Sequence, residues 1–328
     1  MRRQSAVPGI APREGKHGPL LSVMIPTYNC DDTLERTLLS VLPQAGSAED
    51  MQIEVVDDVS TMGDPQAVVA RIGKGRVGFH RRVVNGGHVA NFNTCIERSR
   101  GRFVHILHGD DWVEPGFYDS MRAAIRARPD LGYAFCRSSY RDEHAEQIGV
   151  TDLEAPHTGV IDNWLERILE QQRICTPSVV VRRAAYETVG GFDPQFRTAG
   201  EDWEMWARIA ACFPVWFEQG VLACYTVRRD GSLTGDARST TRVTHDMRIA
   251  ADAIEARVAP LLPEGKARQH LTKARLLYAG WSLNYAEAEI GKIGLRPLIP
   301  HLREAFLCYP SVWMAKRISK LALRRPLD

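Results

Sequence analysis

Three aspartate-bearing turns hold the residue types best suited to chemistry: Val55-Val56-Asp57-Asp58, Ile106-Leu107-His108-Gly109-Asp110-Asp111 and Gly200-Glu201-Asp202-Trp203. In an open α/β sheet, ligands sit outside the carboxyl ends of the strands, near the point where strand order reverses. Carboxylates brought there on separate segments can hold a divalent cation and move protons around one bound molecule. A magnesium or manganese ion bound through one or two carboxylates completes its shell with water and substrate phosphates, which suits the adjacent pair Asp110-Asp111. Asp57 and Asp58 could accept hydrogen bonds from a nucleobase N–H or a ribose hydroxyl. Glu201 and Asp202 open a helix, where the dipole favours the ionised carboxylate that a general base needs. Asn85-Gly86-Gly87-His88, with Asn91 one turn on, joins a strand to a helix and lets backbone approach a phosphate-bearing ligand. Every one of these segments also has a plain reading as a cap, a turn or, for the tryptophans, core.

The elements that must position these groups alternate strand and helix from Leu20 to about Phe135. Leu21–Ile25 reads as a buried strand ended by Pro26, and Asp31 or Asp32 caps a helix whose apolar residues Leu34, Leu38, Val41 and Leu42 fall at helical spacing. Strands follow at 53–56, 77–84 and 103–107, with helices at 89–98 and 117–127. Repeated β-α units of this length imply a parallel, right-handed, doubly wound sheet. After a strand at 133–136 the alternation weakens, with a loop expected around 141–159, a strand at 179–181 and a helix at 203–211. From about Thr240 long helical patterns punctuated by prolines take over. The expected organisation is a flexible tail over residues 1–19, an α/β domain over 20–238 and a helical region over 239–328.

Composition bounds the function classes. The 328 residues are 44% hydrophobic and 25% charged with a formal net charge of +2, so nothing pulls the chain generally toward nucleic acid. Seven cysteines form no C-x-x-C pair, which fits reduced thiols in a cytoplasmic protein better than a disulfide framework or a zinc site. The first 19 residues lack the apolar stretch of a signal peptide, and no run of about 18 apolar residues occurs. Gly73-Lys74-Gly75-Arg76-Val77-Gly78 matches the dinucleotide fingerprint but precedes a strand, so it is rejected. No phosphate-binding G-x-x-x-x-G-K-[ST] loop is present. His80, His88, His105 and His108 share no metal-ligand spacing and read as surface or turn residues.

Taken in order, the segments resemble the family 2 inverting glycosyltransferases with the GT-A fold. Ser22-Val23-Met24-Ile25-Pro26-Thr27-Tyr28-Asn29 looks like that family's first strand and nucleotide loop. Val56-Asp57-Asp58-Val59-Ser60-Thr61 is similar to its VDDGS segment, with Val59 where glycine is usual. His108-Gly109-Asp110-Asp111 looks like its D-x-D-D, and Gly190-Gly191-Phe192-Asp193 with Gly200-Glu201-Asp202 like its acceptor-side motifs. The resemblance covers about Leu20 to Thr234. It implies that Pro26, Tyr28, Asn29, Asp58, Asn85, Gly87 and Asn91 serve a nucleotide-sugar donor. Asp110 and Asp111 would handle Mn2+ or Mg2+ with the ribose or diphosphate, Asp202 would be the catalytic base, and Asp193, Glu201 and Trp203 would face the acceptor. Two departures stand out: His108 replaces the first acid of D-x-D, and Arg229 stands where a histidine is frequent, a cation that could still steady the diphosphate.

The implied reaction is a single in-line displacement on UDP- or dTDP-linked sugar, with inversion, onto a glycan or lipid-linked acceptor in bacterial cell-surface polysaccharide or glycolipid synthesis. Two rivals remain. A sugar-nucleotide nucleotidyltransferase normally shows a Gly-rich basic loop after the first strand, where Pro26-Thr27-Tyr28-Asn29 stands instead. A catalytically inactive binding module of the same fold would draw support from His108 and Arg229. At the C-terminus, Met314, Ile318 and Leu321 share one helical stripe and Arg317, Lys320 and Arg324 another. Such a basic amphipathic helix can lie at the inner face of an anionic membrane, or pack on the protein with its basic face solvated.

Overall fold

A computed structural model describes residues 7–13, 18–227 and 241–323. Its contacts divide into two compact units. The first comprises residues 1–164, 173–197 and 209–228, and the second comprises 165–172, 198–208 and 229–328. The helical C-terminal part therefore does not begin cleanly at 239, because two earlier segments belong with it.

The first unit is built on strands β1 (Leu21–Thr27), β2 (Met51–Asp57), β3 (Gly78–Arg81), β4 (Phe103–Ile106), β5 (Trp112–Val113), β6 (Tyr133–Arg141), β7 (Gln147–Val150), β8 (Gly159–Val160), β9 (Val179–Arg182) and β10 (Val215–Thr226). The sheet order is β3-β2-β1-β4-β9-β6-β10-β5, with β7 beside β6 and β8 beside β10. The block β3-β2-β1-β4 is wholly parallel. Strand β9 runs antiparallel between β4 and β6, and β10 is parallel to β6, so six of the ten strands share one direction. This is the expected α/β sheet of mostly parallel strands flanked by helices, with β9 inserted antiparallel and the short strands β5, β7 and β8 also antiparallel to their neighbours.

Every residue of β1 is buried, as a central strand covered on both faces requires, and its sequence is a near-continuous apolar run. Alternate residues Leu21, Val23 and Ile25 share one cluster with Leu34, Leu38 and Val41 of α1 (Asp31–Val41) and with Phe117, Met121 and Ile125 of α4 (Phe117–Ala127). Each such side chain contributes about 1.5–3 kcal/mol by leaving water. Between them lie α2 (Pro65–Gly73) and α3 (His88–Arg98). Asp64 caps α2 by accepting from Ala67 N, and Lys74 at φ +45 ends it, so the rejected glycine-rich motif is a helix-to-strand turn.

Three expectations change. Residues 7–13 are not a loose tail: Pro8 O accepts from Gly191 N at 2.8 Å and Ile10 is buried. The 141–159 stretch carries β7 and the start of β8, and β10 is a strand of 12 residues where no element was expected. His105 is neither surface nor turn. It is fully buried, Nδ1 lies 3.1 Å from Tyr118 OH and Nε2 lies 2.9 Å from Pro177 O, and burial pushes its pKa down to about 4.

The second unit is helical, with helices Arg242–Val258, Lys266–Ile293, Ile299–Cys308 and Val312–Ala322. The long helix buries Leu271, Ala274, Tyr278, Leu283, Ala286 and Ile290 along one stripe. Glu204, fully buried, accepts from Arg208 and from Arg257, each at 2.7 Å. Among the described residues no helix is long and apolar enough to cross a membrane.

Candidate functional site

The carboxyl ends of β1, β2 and β4, three neighbouring parallel strands, bring most of the expected residues into one loop cluster. Pro26 lies opposite Val56, and its carbonyl accepts from Gly109 N at 3.1 Å. Tyr28 is 48% exposed, leaving its ring open at the rim. Asn29, at φ +52, accepts from Thr61 N at 2.8 Å and Met62 N at 3.0 Å, while its own N–H donates to Ser60 Oγ at 2.9 Å. Asn29 therefore clamps the loop after β1 to the loop after β2.

The two aspartates ending β2 have distinct partners. Asp57 accepts from Ser60 and from Arg81 Nε at 2.7 Å and is fully buried. Asp58 accepts from Arg82, from Gly86 N at 3.0 Å and from Gly87 N at 2.8 Å, while its carbonyl accepts from Asn85 Nδ2 at 2.9 Å. A carboxylate has about four lone-pair positions, so roughly one remains for an incoming N–H or O–H. Asn91, buried, donates to Val56 O at 2.9 Å and ties α3 to the end of β2. Asn85, Gly87 and Asn91 thus build the loop that holds Asp58. At the start of α3, residues 86–90 with Pro194, Phe196 and Arg197 line a pocket of about 110 Å³.

The turn after β4 carries the candidate metal centre. His108, Asp110 and Asp111 offer ligand atoms that all lie within 4.8 Å of one another. His108 Nδ1 is 3.1 Å from Asp111 Oδ2, and the imidazole stacks on Phe92 with centroids 5.2 Å apart. Asp111 Oδ1 accepts from Thr226 N at 2.8 Å. Burial pushes Asp111 up to about 6, and the charge of Asp110 adds to this against the hydrogen bond from His108. An imidazole and two carboxylates within this reach fit a divalent cation. Gly109 is required by close approach, since a Cβ there would lie 2.6 Å from Cys30 Sγ and 2.7 Å from Thr27 Cγ2.

Sequence reasoning missed the residues that grip this turn. Thr33 Oγ1 donates to Gly109 O at 2.9 Å, Thr37 Oγ1 to Asp111 O at 2.7 Å, and Arg36 Nη2 to Asp110 O at 3.3 Å. The Arg36 guanidinium also lies 3.9 Å over the Trp112 ring. Their signal was visible as a polar stripe at i, i+3 and i+4 on α1, beside the apolar stripe read as core.

The acceptor-side residues stand differently. Asp193 is fully buried and accepts from Gln195 N at 2.9 Å and Gln195 Nε2 at 2.7 Å, so it braces a turn. Trp203 belongs to the second unit's core, its indole donating to Ile168 O at 2.6 Å. Glu201 and Asp202, half-buried, open the helix Glu201–Ala210 in the second unit, and Asp202 Oδ1 accepts from Trp203 N at 2.7 Å. Asp246, from the same unit, accepts from Thr198 N at 3.0 Å and Ala199 N at 3.3 Å and so fixes the turn before Asp202. Gly200 in that turn has φ +90, and a Cβ would lie 3.0 Å from Ala250 Cβ. Arg229 lies outside the described residues.

The sequence profile of "Glycosyl transferase family 2" matches residues 22–190, just over half of the 328-residue chain. The chain belongs to glycosyltransferase family 2. Among individual relatives of this family 2 chain, validoxylamine A glucosyltransferase of Streptomyces hygroscopicus subsp. limoneus is 50% identical over 232 residues, 62% of this chain and 51% of that protein. The succinoglycan biosynthesis protein ExoO of Rhizobium meliloti is 35% identical over 114 residues, covering 35% of this chain and 31% of that one. The chain thus spans about half or less of these relatives' length. Among solved structures, Staphylococcus aureus TarS 1-349 superposes with a TM-score of 0.65 at 19% identity, over 92% of this chain and 83% of that one. The mannosyltransferase PcManGT from Pyrobaculum calidifontis, solved with GDP-Man and Mn2+, gives 0.59 at 17% identity, over 95% and 86%. At these identities the likeness is one of fold.

Proposed function

We propose that this family 2 member transfers a sugar from a nucleoside-diphosphate donor, UDP- or dTDP-linked, to an acceptor hydroxyl with inversion, in the assembly of a bacterial glycan or glycolipid. One observation carries the reading: an open tyrosine ring, a carboxylate with a spare lone pair, and a His-Asp-Asp cluster meet at the ends of three adjacent parallel strands. Relatives agree with it, since the validoxylamine relative is named a glucosyltransferase and TarS 1-349 has been solved with UDP-GlcNAc.

In this reading Tyr28 stacks on the base and Asp58 accepts from the nucleoside, both set in place by Asn29, Asn85, Gly87 and Asn91. Asp110, with His108 and Asp111 beside it, would hold Mn2+ or Mg2+. When bound, such a cation neutralises negative charge growing on the leaving diphosphate. Arg229 keeps its expected part in steadying that diphosphate. Asp202 takes the proton from the acceptor hydroxyl as the acceptor oxygen bonds to the anomeric carbon. The bond from that carbon to the diphosphate oxygen breaks, and the nucleoside diphosphate leaves with the electron pair.

The test is kinetic and calorimetric. Asp202→Asn should lower transfer by about 10²–10⁴-fold, the usual weight of a positioned base, while UDP binding stays near wild type. Normal turnover by that variant overturns the assignment of the base. Free nucleoside diphosphate among the products supports sugar transfer; pyrophosphate would point to nucleotidyl transfer instead.

A further inference from the structure

Of the stripe expected to meet a membrane, Met314, Ile318 and Leu321, the first and last turn inward and are buried, and Ile318 is half-buried. The opposite side of helix Val312–Ala322 faces solvent. At 3.6 residues per turn, Val312, Trp313, Lys316, Lys320 and, just beyond the helix, Leu323 fall within an arc of roughly 100°. Val312 is 73% exposed, Trp313 49% and Leu323 82%, which is unusual for apolar side chains gathered on one face. The preceding helix, Ile299–Cys308, repeats the pattern with Ile299, Arg303, Phe306 and Leu307 exposed. Charge is one-sided as well. From Gly291 to Leu323 there are six lysines and arginines and one acid, Glu304, which is buried and paired with Arg248 at 3.1 Å. Arg296, Arg303, Lys316 and Lys320 have no acidic partner among the described residues.

We propose that the outward faces of helices Ile299–Cys308 and Val312–Ala322 dock on the surface of an anionic lipid bilayer. Trp313 and its apolar neighbours enter the headgroup boundary while Lys316, Lys320 and Arg303 meet lipid phosphates. Apolar area alone would suit any covering surface. The lack of exposed acid between Gly291 and Leu323 selects a negatively charged one, and mixed Trp, Leu and Lys on a helix lying in the interface is what such a surface binds. Binding is measured without donor or acceptor, so this inference stands or falls separately from the transfer reaction.

The experiment is flotation of the full chain with vesicles of phosphatidylcholine alone or mixed with phosphatidylglycerol. Co-flotation with the anionic vesicles, reversed by high salt, is expected. Each lysine near the surface is worth about fivefold in partition, so Lys316→Gln with Lys320→Gln should weaken binding about 25-fold. Trp313→Ser should also weaken it, with circular dichroism unchanged and thermal unfolding lowered only slightly by loss of the ring's contact with Arg317. Failure to float with anionic vesicles at low salt overturns the proposal. So does equal flotation on both vesicle types that the lysine changes leave untouched. Sedimentation supplies the last arm: a dimer abolished by Trp313→Ser would assign the face to a second copy of the chain and overturn lipid docking.

Discussion

Val59 has φ +63, a left-handed conformation that crowds a β-branched side chain against its own backbone. It is held there by what flanks it, Asp58 gripping the loop before α3 and Ser60 bonded to both Asp57 and Asn29. The strain costs on the order of 1–2 kcal/mol, and glycine gives part of that back as unfolded-state entropy. Val59→Gly should therefore stabilise the protein by about 1 kcal/mol in urea unfolding; a loss of stability would show that the valine packing outweighs its backbone strain. His108 makes the second residue-scale case. Imidazole suits zinc-like transition ions, whereas carboxylates suit magnesium and manganese. His108→Asp should thus lower the Co2+ to Mg2+ affinity ratio on the order of tenfold, read by calorimetry on the protein alone. An unchanged ratio would place His108 outside the ligand set and leave it as a ring stacked on Phe92.

Helix α1 works on both sides. Leu34, Leu38 and Val41 enter the core, and Thr33, Arg36 and Thr37 hold the carbonyls of the turn from Gly109 to Asp111. Thr37→Val leaves the Asp111 carbonyl short of a donor, so about 1–3 kcal/mol of stability should go. Divalent-metal affinity should fall by about 10–100-fold, as for other groups that orient ligands. Thermal unfolding and metal titration measure the two, and loss of stability with metal affinity intact would sever α1 from the site. Strand β4 brings a pH dependence through His105. Its folded pKa is about 4, while the unfolded chain titrates near 6.5. Above that value both states are neutral and stability is complete. As pH falls from about 6.5 to 4 the unfolded chain takes up a proton that the fold refuses, removing about 3 kcal/mol. Urea unfolding at neutral pH and near pH 5 should show a steeper fall for wild type than for His105→Gln. The core elements were legible because their patterns are simple: a continuous apolar run for β1, and a helical stripe for α4, found at the bounds expected. Strand β10 was not, since Gly220 interrupts it and its pairing with β6 shifts register between Glu218 and Val221 and again before Ala223, which breaks any alternation.

At the scale of the molecule, the order of motifs along the chain pointed to the family and the sheet, because most of them end a strand or open a helix. What order could not convey is that 165–172 and 198–208 pack with the C-terminal helices, since that partition depends on contacts such as Asp246 with Thr198 and Glu204 with Arg257. Burial was likewise not legible from residue type: Asp193 and Trp203 matched acceptor-side positions and are both fully buried. The site's coupling to the stability of the fold supplies the remaining prediction. A ligand that binds only the folded state adds about 2.7 kcal/mol at one hundred times its dissociation constant. For a unit of about 200 residues that is a rise of roughly 5–10 °C in unfolding midpoint. UDP with Mn2+ should produce such a rise, and a chelator should remove most of it, because the diphosphate would then face Asp110 and Asp111 without a cation between them. Asp110→Asn should behave with Mn2+ as wild type does in chelator. If UDP protects equally with and without the metal, the diphosphate does not lie over the turn after β4, and the donor must be placed elsewhere on the sheet.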